Sequence, residues 1–367
     1  VQDRPGPTIE HTSGHGGPLY GGVRSHKEHG DKFWLHPKGG EARPYVSALS
    51  SSLPVGRREH EMGDLLKGKV AVVTGAGRGI GQAEALALAA EGASVVVNDL
   101  GVERRGGGAQ KGPADETVAE IHRRGGEAVA NYESVGDYQA AGRIIQMALD
   151  VFGRLDILVN NAGIFRDGLF HETTEDDWDS IVTVHLKGTF NTCHHAVPIM
   201  MQQRSGRIIN TASSQWRNPE GRASYAAAKG GIVSLTYDLA WEMRPYNVTV
   251  NAIAPMALTR GAANMTDYNA HVATAGLTRN KPADEANRPA PEFVPPMVVY
   301  LATDLAPEVT GCVFRVGAGK VGLYSHPTEI RSIYRNHLEN GPWPLEELRA
   351  LLPSTILQGN PKAPHIS

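Results

Sequence analysis

Ser213, Tyr225 and Lys229 carry the clearest chemistry in this 367-residue chain. Tyr225 and Lys229 stand four residues apart in Tyr-Ala-Ala-Ala-Lys, so on a helix the phenol and the ammonium share one face, one turn apart. A free phenol, with a pKa near ~10, releases its proton poorly at neutral pH. A fixed cation beside it favours the phenolate, which makes Tyr225 a usable acid and base. Ser213, twelve residues upstream of the tyrosine, can hold a substrate oxygen while that proton moves.

Many exposed helices contain Y-x-x-x-K, and its weight here comes from residues 69–81, KVAVVTGAGRGIG. The run Val70–Val73 is short, β-branched and turn-bounded, as suits a strand buried on both faces. Gly75, Gly79 and Gly81 follow, and then QAEALALAAEG, a helix-forming composition. Strand, glycine turn and helix N-terminus together make a pyrophosphate site, because free N–H groups and the helix dipole both favour an anion there. The second strand, Ser94–Asn98, is followed by Asp99, placed to bind ribose hydroxyls. That acid favours NAD over NADP, whose 2′-phosphate it would repel. Arg78 in the turn, with Arg104 and Arg105 in the next loop, is the counter-argument.

The elements that must position these groups alternate from Lys69 onward. Strands are predicted at 69–74, 94–98, 128–132, 155–160, 206–211, 248–253 and 312–316, with helices between them. This pattern predicts an α/β fold, a doubly wound parallel seven-stranded Rossmann sheet with helices on both faces. Gly75, Asp99, Asn160, Ser213 and Pro255 all fall at carboxyl ends of strands, where such sheets bind ligands. The long segment 256–290 is expected to close over the substrate as a lid. Thr174 to Asp177 reads as an N-cap with no catalytic part. Trp216 follows Ser213 closely enough to touch substrate, whereas Trp241 is expected in the core or at a subunit contact.

Three regions are expected: an N-terminal arm at 1–61, a dehydrogenase domain at 62–325 and a C-terminal extension at 326–367. The arm is rich in Gly, Pro, Ser and His and has no helical or strand period, so it reads as disordered or loosely docked. Met62 reads like a natural beginning, so the arm is either an upstream start-site choice or a functional cover for a neighbouring subunit. His11, His15, His26, His29 and His36 are irregularly spaced, and no metal site is expected. The extension has the makings of one or two short helices and a frayed end.

A net charge of −3, from 36 basic and 39 acidic residues, gives no field for nucleic acid or anionic membrane. No apolar run approaches the ~20 residues of a membrane span. Cys193 and Cys312 are too few for a disulfide framework, and a cytoplasmic setting is expected.

With these motifs in place, the chain resembles the short-chain dehydrogenase/reductase family. It has T-G-x-x-x-G-I-G at Thr74–Gly81, N-N-A-G at Asn160–Gly163, then Ser213 and Tyr225-x-x-x-Lys229, in the family's order. The resemblance implies hydride transfer between a secondary alcohol or ketone and a nicotinamide, with Ser213, Tyr225 and Lys229 catalytic. It also implies cofactor contacts from Gly75, Arg78, Gly79, Ile80, Asp99, Leu100, Glu133, Ser134, Asn160, Ala162 and Gly163. Tyr225, Lys229, Pro255, Met256 and Leu258 complete that set. Helices predicted at 178–202 and 222–242 match the family's subunit contacts, which implies a homodimer or homotetramer.

NDLG at Asn98–Gly101, RRGGEAVANYESV at 123–135, GIFRDGLF at 163–170, VHLKGTF at 184–190 and FRVGAGKVG at 314–322 narrow the likeness. They are similar to the (3R)-hydroxyacyl-CoA dehydrogenase domain of peroxisomal multifunctional enzyme type 2 and its bacterial relatives. The implied partner is therefore a small-molecule secondary alcohol or ketone, with a CoA thioester as one form. Steroid, terpenoid and cyclic alcohols are the alternative substrates, and a non-catalytic dinucleotide binder is the alternative class.

Three departures accompany the resemblance. The Ser213–Tyr225 spacing is one residue short, which leaves Ser214 as a stand-in. His185 stands where most of the family has a catalytic-helix asparagine, and either helps to hold the water or backbone through which the proton leaves or is a packed helix histidine. Met256 follows Pro255 where glycine is usual, and Thr259 sits one position early.

Overall fold

A computed structural model describes residues 63–101, 112–257, 265–277 and 289–358. The expected N-terminal arm, Arg104, Arg105, Leu258 and Thr259 lie outside the described residues, as does the terminal stretch from 359. Among the described residues, 63–326 form one compact unit and 327–358 belong to another.

Val70–Thr74 (β1) is buried at every position, as an apolar run without alternation requires when both sheet faces are covered. Then come α1 (Gly79–Ala90), β2 (Ser94–Asn98), α2 (Gly112–Arg123), β3 (Glu127–Asn131), α3 (Tyr138–Phe152) and β4 (Ile157–Asn160). After β4 the chain runs through α4 (Glu175–Ile181), a π-helical turn (Val182–Lys187) and α5 (Gly188–Gln203). β5 (Gly206–Thr211), α6 (Ala223–Met243), β6 (Val248–Pro255), α7 (Met265–Thr274), α8 (Pro295–Ala302), β7 (Val313–Gly317) and β8 (Lys320–Leu323) complete the unit.

The strand order is β3-β2-β1-β4-β5-β6-β7-β8, parallel throughout except for the last pair. Among the described residues the sheet therefore has eight strands, one more than the seven that the sequence predicts. β8 returns antiparallel from β7 through Ala318 and Gly319, both at positive φ, the geometry of a tight hairpin turn. Chain order reverses between β1 and β4, and this switch point opens a crevice beyond the strand ends.

Successive strand residues feed opposite layers. Ala71, Val73, Val95, Val97 and Val159 pack with Leu88 of α1 and Val298 and Leu301 of α8. Val70, Val72, Val96, Leu158 and Ile208 pack with Ile144 of α3, Met200 of α5 and Met243 of α6. Fully burying one such side chain is worth about 1.5–3 kcal/mol, so the two layers hold the strand ends rigidly in place. Thr174 caps α4, accepting from the Asp177 N–H at 3.1 Å, as its sequence pattern indicated.

In the C-terminal unit, α9 (His337–Asn340) and α10 (Leu345–Leu351) are the two short helices expected there. Arg335 pairs with Glu347 and lies 5.5 Å from the ring centre of Trp343.

Candidate active site

At the end of β1 the chain turns at Gly75, whose φ of +64° disfavours any residue with a Cβ. A Cβ there would also lie 2.8 Å from the Cα of Ala162, so the turn and the loop after β4 touch backbone to backbone. Asn161 clamps this contact: its amide donates to the carbonyls of Thr74 at 3.0 Å and Gly75 at 3.1 Å. Thr74 Oγ1 in turn accepts the N–H groups of Asn161 and Ala162, each at 3.1 Å. Gly79 and Ile80 open α1 behind an exposed Arg78 that makes no side-chain cap, so the first N–H groups of the helix remain directed at the crevice.

Asp99 closes the other side of this cradle. Its carboxylate accepts the Gly77 N–H at 2.8 Å and the Gly101 N–H at 2.7 Å, which fixes it at the end of β2 with Leu100 exposed beside it. Each oxygen retains acceptor capacity for a hydroxyl. Asn98 and Asn131 bond to each other at 2.8 Å and hold the backbone of Glu133. The Glu133 side chain turns outward to a bidentate pair with Arg143, so only its backbone and Ser134 border the cradle.

Asn160, at the carboxyl end of β4, plays a structural part with its side chain. Its side chain points into the core, bonded to Asn210 at 2.9 Å and Thr192 at 2.6 Å, with the Cys193 thiol at 3.3 Å. Burial pushes that thiol up to about 12. The asparagine thus anchors β4 to β5 and α5, and the neighbour Asn161 is the one that shapes the turn.

Ser213 follows β5 in extended conformation, and its Oγ accepts from the Gln215 N–H at 3.2 Å. The same hydroxyl stands close enough to the Tyr225 phenol to pull its pKa downward. Tyr225 and Lys229 occupy the first two turns of α6, both buried. Lys229 Nζ donates to the Thr211 carbonyl and lies 5.6 Å from the Tyr225 ring centre.

Electrostatics here run against the simple spacing argument. Burial raises the Tyr225 phenol to about 12, against smaller pulls downward from the Ser213 hydrogen bond and the Arg222 charge. Burial likewise lowers Lys229 to about 7. Burial disfavours either charge alone, so a phenolate at Tyr225 needs a cation beside it.

His185 sits in the π-helical turn, a local widening that recurs at functional sites. Its ring meets Tyr225 edge-on at 5.2 Å and presses on Gly163, where a Cβ would be 2.4 Å from Cε1. Nε2 lies 2.8 Å from the Ile164 carbonyl and 3.2 Å from its N–H, and the shorter contact favours the Nε2–H tautomer. Nδ1 is then a bare, buried acceptor. Burial and the Lys229 charge lower the ring to about 3, so His185 remains neutral near pH 7.

Pro255 ends β6, and the Met256 N–H reaches the Val316 carbonyl at 2.8 Å, so both lie at the carboxyl edge beside Gly317. Of the expected lid, α7 and its neighbours are described, and Tyr268 and Val272 of this helix pack on Leu169. Trp216 packs edge-on against Tyr324 at 5.9 Å, whereas Trp241 is 73% exposed and so is not a core residue. Asn161, Arg222 and Asp167 escaped the sequence reading as site residues, although N-N-A-G and GIFRDGLF contain two of them. Among the described residues no group of three or more His, Cys, Asp or Glu side chains is gathered to hold a metal.

A cradle of free backbone N–H groups beside a proton-moving phenol is what an oxidoreductase of CH–OH groups needs to work through a nicotinamide dinucleotide. The chain belongs to the short chain dehydrogenase family, whose model matches residues 69–271. It is 44% identical over 254 residues to a short-chain type dehydrogenase/reductase of Mycobacterium tuberculosis, covering 69% of this chain and 83% of that protein. It is 42% identical over 283 residues to mouse peroxisomal multifunctional enzyme type 2, covering 77% of this chain but only 36% of the longer mouse protein. A 3-oxoacyl-[acyl-carrier-protein] reductase of Synechocystis is 39% identical over 259 residues, 70% of this chain and 98% of that enzyme. A crystal structure of a short chain dehydrogenase from Mycobacterium avium superposes with a TM-score of 0.66 at 40% identity, over 80% of this chain and 95% of that one.

Proposed function

We propose that the protein is an NAD-dependent dehydrogenase of secondary alcohols, with 3-hydroxyacyl-CoA thioesters as its substrate class. The observation that carries the chemistry is that Tyr225 and Lys229 stand buried on successive turns of one helix, with Ser213 at the end of β5 beside the phenol. The acyl-CoA class is supported by the likeness to the multifunctional enzymes and to the acyl-carrier reductase.

Gly75, Arg78, Gly79 and Ile80 would receive the pyrophosphate, because a glycine turn at positive φ packed against Ala162 leads straight into the N-terminus of α1. Asp99 and Leu100 would receive the adenosine ribose, and the acid disfavours a 2′-phosphate. Ser134, Ala162, Gly163, Pro255 and Met256 border the rest, with Leu258 beyond the described residues.

In the oxidising direction Tyr225, as phenolate, takes the hydroxyl proton of the substrate while Ser213 holds the oxygen that becomes the carbonyl. A bound nicotinamide dinucleotide supplies the acceptor for the hydride leaving the carbon. Lys229, which donates to the Thr211 carbonyl, would stand as ammonium beside the phenolate and would hold the nicotinamide ribose of a bound cofactor. His185 stays neutral and holds the Ile164 backbone, so its part is to fix Tyr225 and the Gly163 loop.

Exposed Phe190 on α5 and Trp241 on α6 support a homodimer or homotetramer through those helices. Two free cysteines agree with a cytoplasmic setting, and no helix among the described residues is long and apolar enough to cross a membrane. Sedimentation of the full chain as a monomer at micromolar concentration would refute the oligomer. For the chemistry, Tyr225→Phe is expected to cut turnover by at least ~100-fold with NADH binding near normal. Turnover within a few-fold of the parent would remove Tyr225 from its assigned role.

A further inference from the structure

Arg222 lies one turn before Tyr225, and its side chain is 2% exposed. A buried guanidinium needs partners, and those here come from two segments of the pocket wall, the loop after β4 and α7. Its Nη2 pairs with Asp167 of the loop after β4 at 2.7 Å. Its guanidinium carbon lies 4.5 Å from the ring centre of Tyr268 in α7, and 6.0 Å from that of Phe165. Phe165 in turn stacks on Tyr225 itself, with ring centres 5.4 Å apart and planes 24° from parallel.

A second tie reinforces the first. The Tyr268 hydroxyl donates to the Gly221 carbonyl at 2.6 Å, and Gly221, at φ +81°, leaves space that a Cβ would take from that hydroxyl. Further along α7, His271 meets Glu172 at 2.8 Å. The helix thus docks on the loop after β4 and on the approach to α6 at the same time, and Arg222 stands where these contacts meet.

We propose that Arg222 is a positioning residue for the reaction, coupling the docking of α7 to the placement of Tyr225 at the reacting end of the site. When α7 is docked, Tyr268 and Asp167 fix the guanidinium, the guanidinium fixes Phe165, and Phe165 fixes the phenol ring. A desolvated cation–π contact is stronger than an exposed one, so Arg222 and Tyr268 hold each other in place. When α7 lifts, Arg222 loses one of its two rings and water gains access to the ion pair.

Charge adds a second consequence. The groups facing Tyr225 are Lys229 on its own helix, His185 from the π-helical turn, and Arg222 and Glu220 from the approach to α6. His185 is neutral, so the balance rests on two cations and the Glu220 carboxylate, with Asp167 offsetting part of the Arg222 charge. Docking of α7 excludes water from this balance and lets the Arg222 charge favour phenolate more strongly.

This inference rests on the proposed role of Tyr225, and the experiment separates the two. Steady-state rates with NAD are measured from pH 6 to 10 for the parent, Arg222→Gln, Arg222→Lys, Tyr268→Leu and Tyr225→Phe. NADH affinity and hydrogen exchange of residues 265–274 are measured in parallel. Arg222→Gln is expected to lower kcat about 10- to 100-fold and to move the acid limb of its pH profile upward, with NADH affinity within about twofold. Arg222→Lys restores the position of the acid limb but not the protection of 265–274, and Tyr268→Leu loses protection with a smaller fall in kcat.

Arg222→Gln with a superimposable pH profile and unchanged exchange overturns the inference, while an inactive Tyr225→Phe leaves the parent reading standing. An active Tyr225→Phe overturns both. If Arg222→Gln does not fold, the decision falls to Tyr268→Leu and Arg222→Lys. Parental kcat and parental exchange in that pair overturn it equally.

Discussion

The ring of His185 occupies the space where a side chain at residue 163 would begin. A Cβ on Gly163 would stand 2.4 Å from Cε1 of His185, and the same ring meets Tyr225 edge-on at 5.2 Å. The loop after β4, the π-helical turn and the phenol are therefore packed as one unit. Gly163→Ala must push the imidazole toward Tyr225 or break its bond to Ile164. Overpacking of this kind costs about 1–3 kcal/mol, so a fall of about tenfold or more in kcat/KM is expected. Parental rates together with a parental melting temperature would show that the ring has room to move.

Asp99 accepts two backbone N–H groups, one from the glycine turn and one from its own loop. Replacing it with alanine removes the ribose acceptor and also frees the turn. Hydrogen bonds to a charged group are worth about 1.5–3 kcal/mol, so NAD affinity should fall by about 10- to 100-fold, read by titration calorimetry. NADP affinity should fall less or rise, because the repelling charge is gone. An equal loss for both dinucleotides would assign Asp99 to the turn alone.

Glu84 lies on the inner face of α1, wholly buried, and neither carboxyl oxygen has a hydrogen-bond partner among the described residues. Burial raises it from 4.5 to about 8. The folded protein then keeps a proton that the unfolded chain releases, so stability falls as pH rises from 4.5 and the whole loss is present above 8. Glu84→Met should remove this slope. The gain in melting temperature over the parent is expected to be roughly 5–10 °C larger at pH 8 than at pH 5. The same gain at both values would mean that the carboxyl is solvated.

Legibility in the sequence followed the range of the interaction. Gly75, Asp99 and Ser213 were readable because a β-branched run and a turn residue mark a strand end within a few positions. β8 was not, since Lys320–Leu323 is short, largely exposed and pairs through an Ala-Gly turn. The π-helical turn at His185 adds no break in hydrophobic pattern, so nothing local announces it. Asn160 and Asn161 are adjacent and identical in type, and only packing decides which faces the core.

The net direction of the Tyr225 shift is hidden from the sequence for a related reason. Spacing shows that a lysine is near, but the depth of burial that outweighs it is a property of the closed fold. Asp167 and Arg222, on separate segments, carry no mutual signal in a single sequence.

Central to this account is that Asp99 and the Ser213–Tyr225–Lys229 set serve one reaction, NAD-dependent oxidation of a 3-hydroxyacyl-CoA. The most direct measurement is the initial rate of absorbance change at 340 nm, with NAD and NADP in parallel, across 3-hydroxyacyl-CoAs, hydroxysteroids and monoterpene alcohols. Turnover of a 3-hydroxyacyl-CoA with NAD, well above that with NADP, is the expected result. Turnover confined to free steroid or terpene alcohols, or a preference for NADP, would contradict it.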